Sequence, residues 1–182
     1  MKIKRFVCNA FQENAYVVSE GADCIIIDPG FTSSELPALY DYLAAEGLTP
    51  TAILLTHSHP DHVCGLQALV ERFGIAVQAG AALYGFTVIK TPGHTPDSVC
   101  YYNEAEHILF TGDTLFAGTI GRTDLPGGNY DDEIRSIMEK LIFLPGETVI
   151  YPGHGPASTI ARERIQNPFL EPFNEREELD LD

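Results

Sequence analysis

Four apolar runs in this chain share one kind of ending. "AILLTHSHPDH" leads into His57, His59, Asp61 and His62, "TVIKTPGH" into His94, "ILFTGD" into Asp113 and "TVIYPGH" into His154. Each run is short, rich in β-branched and aromatic residues, and closed by Gly, Pro or a polar cluster, which is the signature of a buried strand. A chain that stops four strands at ligand-type side chains is organised around a sheet, because strand ends are rigid and the loops beyond them are exposed. The glycine before His94, Asp113 and His154 lets the backbone turn sharply with no Cβ in the way.

The remaining segments fit the same architecture. "YVVSEGADCIIIDPG" predicts a hairpin, with Tyr16–Ser19 and Cys24–Asp28 joined at Gly21. "SSELPALYDYLAAEG" predicts a helix capped by Ser33 or Ser34, with Leu36, Leu39, Tyr40 and Leu43 on one face and Gly47 as its stop. "GLQALVERFG", "DDEIRSIMEKLIFLPG" and Thr159–Gln166 predict three more helices, the middle one with Ile134, Ile137, Met138 and Leu141 inward. Ile75–Gln78, "FTVIKT", "SVCYY", "HILFT" and "TVIYPG" predict strands. The order is that of a mixed α/β fold, strands covered by helices.

At 182 residues and 45% hydrophobic content the chain can bury one substantial core. The net charge of −15 argues against a nucleic-acid partner, whose phosphates need Lys and Arg, and against an anionic membrane surface. No run approaches membrane-spanning length, and Asn9, Gln12, Glu13 and Asn14 interrupt the N-terminus before it could form a signal-peptide core. The expected location is the cytoplasm. Cys8, Cys24, Cys64 and Cys100 form no CxxC pair and read as free thiols, three of them among apolar neighbours. Residues 171–182 carry six acids against Arg176 alone. The expected organisation is a catalytic domain over 1–170 and an acidic C-terminal tail over 171–182.

Five of the six histidines lie at the strand ends. Only His107, in the turn "NEAEH", does not, and it is given no role. In an extended segment, positions 57, 59 and 61 point the same way, while His62 turns away or joins a second centre through a local bend. Five imidazoles crowded without a cation would each be pushed neutral by the others. A divalent metal removes that conflict by taking the neutral nitrogens directly. Imidazole and carboxylate without thiolate suit Zn²⁺, and also Fe or Mn. The donors His57, His59, Asp61, His62, His94, Asp113 and His154 exceed what one catalytic zinc uses. Two ions about 3.5 Å apart accommodate all seven, with Asp113 as the natural bridge because a carboxylate has two oxygens.

"THSHPDH", "TPGHTPDS", "FTGDTLF" and "YPGHG", in this order, resemble the metallo-β-lactamase superfamily. "GDTLFAGTIGRTDLPGG" and "GHGPASTIARERIQNPFL" are similar to its glyoxalase II (hydroxyacylglutathione hydrolase) group, in its short bacterial form. The resemblance implies a four-layer αββα sandwich with a dinuclear site along one edge. It assigns His57, His59 and His94 to one metal, Asp61, His62 and His154 to the other, and Asp113 to both. Full-length glyoxalase II continues into a helical region that helps hold glutathione, and this chain ends soon after "NPFL". The segment from His62 to His94 is also short for the group.

The expected reaction is hydrolysis of a thioester such as S-lactoylglutathione or a related small acyl-thiol, by attack of a metal-bridging hydroxide. Asp61 and Asp113 count as catalytic residues and Arg122 as the anion clamp, at about the place where glyoxalase II has a glutathione-gripping lysine. The alternative for Arg122 is a pair with Asp124 or an acid of the next helix. Tyr130 is a second substrate contact. Asp28, in "IIIDPG", either fixes a histidine tautomer or simply forms the turn. Ser58, between two ligands, is expected to pack or hydrogen-bond behind them. Competing readings are persulfide dioxygenation on one iron, since the related sulfur dioxygenases use the positions matching His57, His94 and Asp113 and carry a "GRTD" stretch, and lactone hydrolysis. A β-lactamase fits less well, because Asp113 stands where the commonest such enzymes place a cysteine.

Overall fold

The computed structural model describes residues 1–78 and 84–171. The chain divides into two compact units, Met1–Ala81 and Ala82–Asp182. Apart from Glu171, the expected acidic tail lies outside the described residues.

The first unit is a five-stranded sheet in sequential order: β1 (Lys2–Cys8), β2 (Glu13–Glu20), β3 (Asp23–Ile27), β4 (Thr49–Leu54) and β5 (Ala76–Val77). The first three strands are antiparallel, and β3, β4 and β5 run parallel. β2 is buried from Glu13 to Ser19, so it shows no alternation, as befits a central strand covered on both faces. β1 escapes the sequence reading because it is an edge. Lys2, Lys4 and Arg5 are exposed along it, and charge on an open edge blocks pairing with other chains. Helix α1 (Leu36–Glu46) buries Leu36, Leu39 and Leu43 against Ile26 and Ile53. Each such side chain contributes roughly 1.5–3 kcal/mol by leaving water. Its cap differs from the expectation: Glu35 takes the N-cap position without a side-chain cap bond, and neither serine caps. The Glu35 carboxylate instead accepts from Thr32 N and Oγ1 and from Asn9 N. Gly47 ends the helix in the left-handed region, as expected. Helices α2 (Pro60–Val63) and α3 (Leu66–Phe73) follow β4.

The second unit contains a sheet ordered β12 (Ser158–Thr159), β11 (Val149–Pro152), β8 (Ile108–Gly112), β7 (Val99–Asn103) and β6 (Thr87–Lys90), with a hairpin of β9 (Leu115–Phe116) and β10 (Thr119–Ile120) beside it. β6 and β8 are both antiparallel to β7, and β11 is parallel to β8. The three strands that precede His94, Asp113 and His154 therefore run the same way and end on one edge. Helix α4 (Tyr130–Ser136) continues as a π-helical turn (Ile137–Leu141), and α5 (Ile160–Gln166) as a 3₁₀ turn (Pro168–Leu170). Ile137 and Leu141 are fully buried with Leu109, Ile150 and Ile160, and Ile134 and Met138 pack partly against them. Among the described residues, no helix is long and apolar enough to cross a membrane. All four cysteines are free. Cys8, Cys24 and Cys100 are buried and Cys64 is exposed.

Candidate metal centre

In the first unit, the parallel pair β3 and β4 brings two loops out of the sheet side by side, with Asp28 N donating to Leu54 O at 3.0 Å. Asp28 is buried and follows one strand; the run His57–His62 follows the other. The extended reading holds to His59, whose ψ is 145°, and then fails, because Pro60 starts α2. A proline at the first helical position is pre-set for the turn. The bend swings His62 back to His57, with ring centroids 4.2 Å apart, while the His59 ring stands 4.8 Å from that of His57. Asp28, His57 and His62 bring ligand-type atoms within 4.8 Å of one another. Glycine is required at position 30: a Cβ there would lie 2.2 Å from Asp61 O.

Asp28 fixes both buried rings. Its Oδ1 accepts from Thr56 N at 2.7 Å and its Oδ2 from Thr56 Oγ1 at 2.5 Å. The Thr56 hydroxyl has one proton, and that proton is committed to Asp28. At 3.1 Å from His57 Nδ1 the hydroxyl oxygen is therefore the acceptor, and His57 Nδ1 carries the hydrogen. His62 Nδ1 lies 3.1 Å from Asp28 Oδ2 and 3.8 Å from Oε1 of fully buried Glu13, so it too faces acceptors. In the neutral form of either ring the lone pair is then on Nε2, the form in which a histidine binds a metal. Asp28 fits both of its readings: its carboxylate meets His62 Nδ1 at 3.1 Å, and its carbonyl accepts from Gly30 N at 2.8 Å in the turn.

In the second unit, Pro152 of β11 pairs with Gly112 of β8, and Gly153 N donates to Gly112 O at 2.8 Å, so Asp113 and His154 emerge together. One oxygen of Asp113, Oδ2, stands 3.6 Å from His94 Nε2 and 3.5 Å from His154 Nε2. Two ligand atoms of one tetrahedral zinc lie roughly 3.4 Å apart. The spacing fits donors to a cation better than hydrogen-bond partners. His94 Nδ1 is 2.7 Å from the Arg122 carbonyl, which only accepts, so the His94 lone pair is also on Nε2. Phe116 of the β9–β10 hairpin meets the His154 ring edge-on, with centroids 6.2 Å apart.

The Arg122 side chain takes the alternative reading. Its Nε and Nη2 each donate to Asp124 at 2.8 Å, at the surface. That pairing raises the guanidinium pKa and holds the Asp124 carboxyl down to about 2. Tyr130 is the first residue of α4 and is exposed. Ser58 is exposed rather than packed behind the ligands. Ser98 is buried and bonded to Thr95. His107 occupies the β7–β8 turn with φ 51°. The sequence reading missed Glu133, whose burial pushes its carboxyl up to about 8. It is one of four acids in the stretch "YDDEIRSIMEK", and only its place on the inward face of α4 distinguishes it.

A protein-family model described as the metallo-beta-lactamase superfamily matches residues 8–85 and 84–154. The chain belongs to this superfamily. It is 36% identical over 213 residues to "Probable metallo-hydrolase YqgX" of Bacillus subtilis strain 168, covering 96% of this chain and all of that protein. It is 31% identical to "Hydroxyacylglutathione hydrolase GloC" of Haemophilus influenzae, covering 93% and 98%. Among solved structures, BLEG-1 B3 metallo-beta-lactamase is similar with a TM-score of 0.86 and 35% identity, covering 93% of this chain and 99% of that one. TTHA1623 in a di-iron-bound form gives 0.83 and 35%, covering 92% and 100%. ETHE1 from Myxococcus xanthus gives 0.84 and 30%, covering 100% and 92%. The fold is the metallo-β-lactamase fold, as the motifs imply. The alignment to YqgX exceeds this chain's 182 residues, so that relative carries residues with no counterpart here. The two pieces of the family match meet at residues 84–85, inside the short His62–His94 segment.

Proposed function

We propose that the chain is a metal-dependent hydrolase of small acyl-thiols, a thioester such as S-lactoylglutathione being the model substrate. His57, His59, Asp61 and His62 from the first unit and His94, Asp113 and His154 from the second would hold one pair of divalent ions, with Asp113 shared. Bound there, such ions supply Lewis acidity, which ionises water near neutral pH and polarises an acyl oxygen. Zinc suits the donor set best. Iron is the alternative, favoured by the di-iron-bound relative.

The observation that carries the reading is the orientation of the rings. His57, His62 and His94 each commit Nδ1 to an acceptor, so each presents Nε2 as a ligand rather than as a proton donor. No serine or cysteine stands beside these rings as a partnered nucleophile among the described residues. The oxygen that forms the new C–O bond therefore comes from water as the C–S bond breaks, and the products are an acid and a thiol. Arg122 has donors beyond the two that Asp124 takes, enough to hold an anionic group on the substrate. Tyr130 is a second contact of the same kind. The glutathione assignment draws on the likeness to GloC.

A second reading, persulfide dioxygenation at one iron, rests on the Gly121–Asp124 run, which matches the "GRTD" stretch of sulfur dioxygenases. One experiment separates the readings: metal analysis of the purified protein, with rates on S-lactoylglutathione, a simple lactone and glutathione persulfide. Hydrolysis of the thioester with about two ions per chain and no oxygen uptake supports the proposal. One iron with oxygen uptake on the persulfide overturns it.

A further inference from the structure

Glu133 is a fully buried acid that the hydrolytic reading does not use. Its neighbourhood is specific. Three consecutive residues of the loop that ends in His94 are each held by α4 or its cap. Ser136 Oγ donates to Pro92 O at 2.8 Å, Asn129 N donates to Gly93 O at 2.8 Å, and Glu133 Oε2 accepts from His94 N at 2.8 Å. The loop lies so close that a Cβ on Gly93 would come within 2.3 Å of Glu133 Cα and 2.5 Å of its nitrogen. The other carboxyl oxygen, Oε1, packs against Gly121, where an added Cβ would stand 2.9 Å away. The next residue, Arg122, holds the His94 ring through its carbonyl. One carboxyl thus touches both the main chain of His94 and the segment that orients its imidazole.

We propose that Glu133 is a positioning residue for His94, acting as an acceptor strut that fixes the ligand's backbone and so sets metal affinity at that position. An apolar residue of the same size would fill the space and remove the carboxyl acceptor of the buried His94 N–H. The strut needs an acceptor and not a charge. A glutamine, whose amide oxygen occupies the same place, is therefore a faithful substitute.

This inference rests on His94 being a metal ligand, and the test keeps the two apart. Metal affinity is measured by chelator competition, with zinc as the probe, on wild type, Glu133→Gln and Glu133→Leu, together with circular dichroism for folding. Glu133→Leu is expected to bind one of the two ions about 10–100-fold more weakly, the usual range when a ligand's support is removed. Glu133→Gln is expected to stay within about threefold of wild type, a rescue that general packing does not predict. Wild-type affinity in the leucine variant, or an equal loss in both, overturns the strut. Amide hydrogen exchange gives a second reading that needs neither metal nor the leucine variant. The His94 N–H is expected to exchange as slowly as β8 amides in metal-free wild type and Glu133→Gln, and rapid exchange in both overturns the inference. A wild type that binds no zinc but protects this amide defeats the metal reading and leaves the strut standing.

Discussion

Asp28 serves the N-terminal donors with two side-chain oxygens, whereas the C-terminal donors are steadied chiefly by the main chain and by a hairpin. In the first unit the candidate ligands lie within six successive residues, and the bend at Pro60 folds them together. A single buried carboxylate then sets both His57 and His62. In the second unit, three strands running the same way bring three distant residues to one edge. The Arg122 carbonyl, the Phe116 ring and α4 hold them there. A local run needs one side chain to order it. A set assembled by topology needs contacts spread over several elements.

The largest effect tests whether the two sets serve one centre. Asp61→Ala and Asp113→Ala are each expected to lower thioester hydrolysis by about 1000-fold or more, with loss of bound metal, since ionisation of the attacking water depends on the ions. Steady-state rates and metal analysis on both variants check this. Near-normal activity in either would break the comparison, because one set would then suffice.

A smaller effect sharpens it. Asp28→Asn keeps an acceptor for Thr56 N but turns the second oxygen into an amide donor facing His62 Nδ1 and the Thr56 hydroxyl. Metal affinity is expected to fall about 10–100-fold. Thr56→Val, which loses the His57 contact and the hydroxyl's bond to Asp28 but keeps the bond from its main-chain N–H, is expected to fall by about tenfold or less. Chelator competition ranks the two, and the reverse order would contradict Asp28 as the common anchor.

The third effect is chiefly on stability. Buried Glu163 accepts from Ser158 Oγ, Gly118 N and Asn167 Nδ2, and Asn167 Nδ2 also reaches Thr119 O, tying α5 to the β9–β10 hairpin. Asn167→Ala is expected to destabilise the protein by about 1–3 kcal/mol in urea unfolding, from the acceptors it leaves buried. It is expected to alter metal affinity less than Asp28→Asn does.

How these parts could be read beforehand follows the same division. The run "THSHPDH" is visible because imidazoles at alternate positions are rare and local. His94, Asp113 and His154 were legible only through the repeated strand-and-ligand ending, which works because the strands share a direction. Two of the three glycines in that pattern, Gly93 and Gly112, have positive φ, and Gly153 does not. The supporting groups were less legible. Asp28 was ambiguous between turn and tautomer until β3 and β4 proved to be parallel neighbours. The Arg122 carbonyl has no side-chain signature at all. Glu133 and Glu13 carry no signal of their own in the sequence, because nothing local marks an acid as inward. Of the fold, β1 and the two-residue strands β9, β10 and β12 escaped notice, the first for its charged edge and the others for their length.

The smallest effect concerns the thiols. Burial pushes the Cys24 and Cys100 thiols up to about 12 and raises that of Cys8 further still, whereas Cys64, just behind the ligand loop, is exposed. A thiol reagent at pH 8 is expected to titrate Cys64 alone in the native protein and all four cysteines after unfolding, since only the thiolate reacts and only where it is accessible. Fast labelling of a second cysteine would place a buried strand at the surface.

The most direct test of the proposed dinuclear centre is metal stoichiometry combined with X-ray absorption on the purified, active protein. About two divalent ions per chain are expected, with nitrogen and oxygen neighbours only and a metal–metal separation of about 3.5 Å. One ion per chain, sulfur ligation, or two ions with no metal neighbour at that distance would contradict it.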